Sequence, residues 1–221
     1  MTGPPQATSQ GGAPEREPTR TARARYDRIA AVYDAFEGVM EGLAYRRWRT
    51  LAWQHAEDDR ILEIGVGTGK NLPYHPRDRH VVAMDLSRRM MRRAVQKGRG
   101  RRTLSFVQMD AQALAFPDAA FDTVVATFVF CSVPDPILGL REARRVLRPG
   151  GRLILLEHVL SGVPVLRHLM RLLNPVFVTL TGANISRGTV ENVRRSGFEM
   201  DELWDLGVAD VYKLVVARKP T

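Results

Sequence analysis

Hydrophobic and polar positions alternate in blocks from residue 61 to residue 156. Ile61-Leu62-Glu63-Ile64 is an apolar run holding one acid, followed at once by Gly65, Gly67 and Gly69. That pattern predicts a buried parallel strand, a tight turn and the start of a helix. A second run, 80–85, ends in Asp85, and Ser87 then opens a helix with Met90, Met91, Ala94 and Val95 on its core face. Further strands are predicted at 103–108, 121–126 and 152–156, with a helix over 136–147. Beyond residue 185, 186–196 reads as a helix and 199–204 and 211–217 as two last strands. The alternation of strand and helix predicts an α/β fold, a doubly wound and mostly parallel sheet with its ligand at the carboxyl ends of the strands.

Two stretches depart from the alternation. Tyr26, Ile29, Tyr33, Phe36, Met40 and Leu43 recur at spacings of three and four, one face of a helix or helical pair, with Gly38 and Gly42 marking a break. Arginines lead and close this face. It reads first as a helix packed on the core with solvated arginines, and second as a basic helix lying on an anionic membrane. Between 163 and 185 apolar residues are denser, and Asn174-Pro175 is expected to break the segment. It reads as an apolar cap over a pocket or as a buried connector. Residues 1–20, rich in Pro and Gly, read as a disordered tail. Residues 21–221 then form one domain: a helical lid (21–55), a ligand-binding core (56–158), the apolar cap (159–185), and a C-terminal helix with strands (186–221).

Composition narrows the classes. A 221-residue chain with 44% apolar residues has the material for one α/β core. The net charge of +9 raises an anionic partner, and eight basic residues between Arg88 and Arg102, with no acid among them, carry most of it. Such a run is a solvated helix face or a surface for phosphates of lipid or nucleic acid. One cysteine, Cys131, excludes a disulfide framework and a multi-thiolate zinc site, and reads as a small buried residue. The five histidines show no pair at metal-ligand spacing, so no metal is expected. No run approaches the roughly 18 apolar residues of a membrane span, and no signal peptide is evident. The expected location is the cytoplasm, with an anionic membrane as a possible peripheral contact.

The candidate chemistry starts at the glycines. In Gly65-x-Gly67-x-Gly69, Lys70 stands where the third glycine of a dinucleotide fingerprint belongs. Together with Glu63 just ahead, this suits a ligand with a cationic amino acid head better than a diphosphate. Asp85 lies 20 residues past Gly65, the offset at which a strand-end carboxylate accepts from ribose hydroxyls. Asp110, at the next strand end, is placed for an adenine amino group.

These residues, with Ala111 and Arg148-Pro149-Gly150-Gly151, resemble the class I S-adenosylmethionine-dependent methyltransferases over about residues 26 to 217. The resemblance implies a Rossmann-like sheet of seven strands, six parallel and the last antiparallel, and S-adenosyl-L-methionine as cofactor. It assigns Gly65, Gly67 and Gly69 to the methionine and ribose side, Asp85 and Leu86 to the ribose, Asp110 and Ala111 to the adenine, and Phe128 to the pocket floor. Tyr33 is expected to close over the cofactor from the lid. Tyr26-Asp27-Arg28-Ile29-Ala30 with Tyr33-Asp34 is similar to the start of ubiquinone/menaquinone and bacterial phospholipid N-methyltransferases. Phe130-Cys131-Ser132-Val133-Pro134-Asp135 with Leu156-Glu157-His158-Val159 resembles the methyltransferase-like-7 thiol and alkyl methyltransferases. The function expected is methyl transfer to an amphiphilic small molecule, a phosphatidylethanolamine-type amine or a quinone precursor.

A soluble thiol or other small-molecule acceptor is the alternative. RNA is disfavoured, because no Asn-Pro-Pro-Tyr-type motif occurs and no aromatic residues interleave the Arg88–Arg102 run. His158 is the candidate general base, with a structural histidine as the competing reading. Asn184 and Arg187, flanking the cap, are candidates to hold a polar or phosphate head group.

Overall fold

The computed structural model describes residues 17–40, 43–181, 184–207 and 209–221; side chains at 29–40, 43, 44, 176, 180 and 181 lie outside that description. In chain order the elements are α1 (Glu17–Met40), α2 (Leu43–Gln54), β1 (Arg60–Ile64), β2 (His80–Asp85), α3 (Arg88–Lys97), β3 (Leu104–Gln108) and β4 (Phe121–Thr127). They continue with α4 (Pro136–Val146), β5 (Leu147–His158), α5 (Pro164–Thr181), α6 (Thr189–Arg195), β6 (Glu199–Leu206) and β7 (Tyr212–Arg218). The strands form one sheet in the order β3-β2-β1-β4-β5-β7-β6. The first four contacts of that order are parallel, and β7 runs antiparallel to both neighbours. The order reverses between β1 and β4, where a doubly wound sheet opens its ligand crevice.

Burial follows from this position. All four residues from Ile61 to Ile64, Glu63 included, are fully buried, because a central parallel strand is covered on both faces. Leu62, Ile64, Val124, Leu153 and Leu155 pack with Leu140, Ala143 and Val146 of α4 and Val193 of α6. Their neighbours in sequence, Ile61, Val125, Ile154 and Leu156, face Ala52 and Trp53 of α2 on the other side. Burying each such side chain contributes roughly 1.5–3 kcal/mol. At the far edge Asp122 accepts from Arg60 N, Nε and Nη2 and from Arg148 Nε, which ties the start of β1 to that of β4 away from the crevice.

Several sequence expectations need correction. Helix α1 begins at Glu17, inside the stretch read as tail, and Thr19 is 1% exposed. Pro18 lies in the first turn of α1, where a missing N–H is tolerated. In the α3 stripe only Met90 and Ala94 are buried, while Val95 is 39% exposed. Helix α5 runs through Pro175 without ending there. Its apolar residues Val165, Leu169, Leu172, Leu173 and Phe177 face solvent, with Met170 buried. The pattern that predicted burial reports only that the face is apolar, whatever covers it.

Candidate functional site

The β1–α3 turn is built by main-chain geometry. Gly65 N and Val66 N both donate to Met84 O, at 2.8 and 2.9 Å, turning the chain over the end of β2. Gly65, Gly67 and Gly69 have φ of 74°, 55° and 85°, the left-handed region that favours glycine. Gly67 N donates to Asp85 Oδ2 at 2.8 Å and Ser87 N to Oδ1 at 2.7 Å. Asp85 thus joins the turn to the N-terminus of α3. Burial pushes its carboxyl up to about 6 against those two hydrogen bonds.

These elements wall a single cleft. Gly65, Gly67, Asp85, Leu86, Asp110, Ala111 and Phe128, all expected from sequence, line it. Asp110 accepts from Gln112 N at 2.9 Å and from Thr19 Oγ1 at 3.1 Å, so the start of α1 is seated on the same carboxylate. Phe128 sits at φ 60°, where β4 leaves the sheet. A glycine-walled turn, two strand-end carboxylates and a largely apolar wall suit a nucleoside carrying an amino acid arm.

Other expected residues are placed elsewhere. Glu63 lies beneath the turn and does not line the cleft. Its Oε1 accepts from Asn71 Nδ2 at 2.7 Å, and His75 Nε2 lies 2.9 Å from Oε2 without hydrogen-bond alignment. On a central strand covered on both faces the acid is enclosed, and an adjacent side chain, not a ligand, meets it. Gly69 is also off the cleft: a Cβ there would fall 3.0 Å from Ala94 Cα, so its role is close approach of the turn to α3. His158 likewise does not line the cleft. It meets Tyr212 edge-on at 4.8 Å, and Tyr212 in turn packs on Phe128. Burial lowers the His158 pKa, favouring the neutral imidazole. The side chain of Tyr33 lies outside the described residues.

Sequence reasoning missed the residues that close the site. Arg49, 3% exposed, donates to Asn71 Oδ1 at 2.8 Å and Thr127 Oγ1 at 2.9 Å, lies 5.2 Å from the Phe128 ring centroid, and lines the cleft with both. Its signal was present: position 49 falls on the stripe of buried Ala52, Trp53 and Ala56, unlike exposed Arg46 and Arg47. Tyr26 donates its hydroxyl to Ser132 Oγ, and Asp27 Oδ1 accepts from Ser87 Oγ at 2.6 Å, so α1 straddles the cleft mouth. Cys131 is buried, with its thiol pushed up to about 12. Arg101, counted in the basic run, donates to the Leu72 and His75 carbonyls and is a structural clamp.

Comparison with known proteins agrees with this geometry. Residues 62–155 match the family described as a methyltransferase domain. A demethylmenaquinone methyltransferase from Clavibacter sepedonicus is 32% identical over 171 residues, covering 74% of this chain and 70% of the relative. A phosphatidylethanolamine N-methyltransferase from Cereibacter sphaeroides is 41% identical over 132 residues, covering 58% and 64%. The chain thus spans about two-thirds of the length of these curated relatives. Among solved structures, the cyclase SpnF superposes with a TM-score of 0.76 at 21% identity over 96% of this chain and 100% of its own, a likeness of fold alone. The chain belongs to the class I S-adenosylmethionine-dependent methyltransferases. Its cofactor is S-adenosylmethionine.

Proposed function

We propose that the protein methylates an amphiphilic small molecule taken from a membrane surface, a phospholipid amine or a quinone precursor. The observation that carries this reading is the exposed apolar face of α5, with Val165, Leu169 and Leu172 open to solvent and His168 and Arg171 beside it. A large apolar helix face flanked by cations suits the interface of an anionic bilayer. No described helix is long and apolar enough to cross a membrane. The names of the relatives, one acting on phosphatidylethanolamine and one on demethylmenaquinone, agree with such acceptors.

In this reading Asp85 accepts from the ribose hydroxyls with Leu86 alongside, Asp110 and Ala111 meet the adenine, and Gly65 and Gly67 let the cofactor approach the main chain. Arg49, already anchored by Asn71 and Thr127, faces the carboxylate of the amino acid arm. Bound there, S-adenosylmethionine supplies a methyl group activated by its sulfonium charge. The chain contributes alignment and exclusion of water, with α1 closing the mouth through Tyr26 and Asp27. An amine acceptor must first shed a proton. Burial favours the neutral form of His158, but this side chain packs on Tyr212 and does not line the cleft, so proton loss to water ahead of transfer is the simpler route.

The test uses purified protein, labelled S-adenosylmethionine and fractionated cell extract. Label in the lipid fraction is expected; label only in the aqueous fraction favours a soluble thiol or other small molecule, and label in RNA overturns the proposal. Leu169→Glu combined with Leu172→Glu should abolish co-sedimentation with anionic vesicles. Wild-type protein that ignores such vesicles would remove the membrane part.

A further inference from the structure

Beside the cofactor cleft lies a second cavity, which shares Ala22, Ser132 and Pro134 with it. Arg25 of α1 and Arg187 face this cavity, with Asn184 between α5 and α6 and with Val178 of α5 as apolar wall. We propose that this cavity is the acceptor's anion subsite, binding a phosphate group of an amphiphile so that its reactive end points past Ser132 toward the donor methyl.

Charge bookkeeping supports an anion. Arg187 is half-buried, and its Nε is buried without a hydrogen-bond partner. Neither Arg25 nor Arg187 forms a side-chain ion pair among the described residues. Glu157 and Asp135 act on Arg187 electrostatically without pairing with it, and each has one oxygen taken by main-chain N–H groups. Glu157 Oε1 accepts from Val129 N and Phe130 N, both at 2.9 Å, and Asp135 Oδ1 caps α4 at Leu138 N, 3.0 Å. Glu17 also borders the cavity, but it is exposed and lies 4.0 Å from Arg20. A guanidinium withdrawn from water without a carboxylate is costly, and a bidentate oxyanion offsets that cost. Asn184 adds a donor: its Oδ1 is occupied by Ser186 N and Oγ, which directs its amide N–H groups away from them. The main chain fixes it, Asn184 N donating to Cys131 O at 2.9 Å. The apolar wall continues onto the exposed stripe of α5, so a chain attached to the phosphate has a path to the membrane face.

The inference rests on the proposed acceptor class and narrows it to phosphate-bearing amphiphiles over uncharged quinone rings. The test is calorimetry on full-length protein saturated with S-adenosylhomocysteine, with hexyl phosphate, hexanol and inorganic phosphate as probes. Hexyl phosphate should bind more tightly than either other probe. Arg187→Ala should weaken it about tenfold to a hundredfold, as loss of a charge-assisted pair does, and Arg187→Lys should restore part. The affinity of both variants for S-adenosylhomocysteine should match wild type, which also shows that they fold. Equal binding of hexanol, or an unchanged Arg187→Ala, overturns the anion subsite. Inorganic phosphate binding as tightly as hexyl phosphate overturns the amphiphile. If S-adenosylhomocysteine itself fails to bind wild type, it is the methyltransferase reading that fails.

Discussion

Gly65→Ala separates the two reasons a glycine stands in this turn. A Cβ there would fall 2.4 and 2.9 Å from the two Cγ atoms of Val129 and 3.2 Å from its Cβ. Rotation of the valine relieves the first two contacts and not the third. Retreat of the 128–130 loop is opposed by Glu157, which holds Val129 N and Phe130 N. The backbone φ of 74° adds strain of about 1–2 kcal/mol for any L side chain. Overpacking adds about 1–3 kcal/mol, and reduced freedom of the unfolded chain returns about 0.4–1 kcal/mol. The expected net loss is thus about 1–4.5 kcal/mol, read from urea unfolding at pH 7. Gly67→Ala is the control, since nothing lies within 4 Å of its Cβ and only backbone strain remains, about 1 kcal/mol. Adding Val129→Gly, which removes the Cβ as well as both Cγ atoms, to Gly65→Ala should recover the overpacking part, as a favourable coupling of about 1–3 kcal/mol in the double-mutant cycle. A Gly65→Ala protein within 0.5 kcal/mol of wild type, or a cycle with no coupling, would refute the steric account.

Three further outcomes follow from the buried carboxyls and from α1. With Asp85 near 6 in the free protein, ribose hydroxyls donating to it favour the anion. Cofactor binding at pH 6 should therefore release about half a proton in calorimetry across buffers of different ionisation enthalpy; release that persists in Asp85→Asn would assign it elsewhere. Burial raises the Glu157 carboxyl to about 7 from 4.5, so the unfolded chain loses this proton first and stability falls as pH rises between those values. Glu157→Gln should remove about 3 kcal/mol of the stability difference between pH 4.5 and pH 8, and parallel pH profiles for the two proteins would refute the assignment. Thr19→Val should cost about 1 kcal/mol, while Thr21→Val, whose hydroxyl bond is exposed, should stay within about 0.5 kcal/mol. Equal effects in chemical unfolding would place the seat of α1 elsewhere.

The glycine-walled half of the cleft was legible because its features are local. A left-handed turn demands glycine at a fixed spacing, and strand-end acids follow at offsets set by one βα unit, so Gly65, Gly67, Asp85 and Asp110 line one cleft. The misses share a cause. Glu63 and Gly69 belong to the same short motif, yet one faces Asn71 and the other α3, and only packing decides which neighbour a motif residue meets. Arg49 and Thr19 come from segments whose composition reads as solvated arginines and as tail. Their burial depends on contacts to residues 71, 110 and 127, which no local window contains.

The loop from Phe128 to Pro134 divides the cleft from the second cavity, the proposed donor and acceptor sides. Phe128 and Val129 line the donor cleft, Ser132 and Pro134 line both cavities, and Cys131 O takes the hydrogen bond from Asn184 N. One carboxylate holds this divider. Glu157 Oε1 accepts two successive loop N–H groups, while its other oxygen is buried without a hydrogen bond. Protonating or replacing Glu157 weakens both loop bonds at once, so the loop's effects on the two sites should not be separable. Glu157→Gln should then raise the KM values for cofactor and acceptor together, and by more above pH 7, where the wild-type carboxyl is ionised, than below it, where it is already protonated. An effect confined to the cofactor would mean that the acceptor cavity is held by α5 and α1 alone.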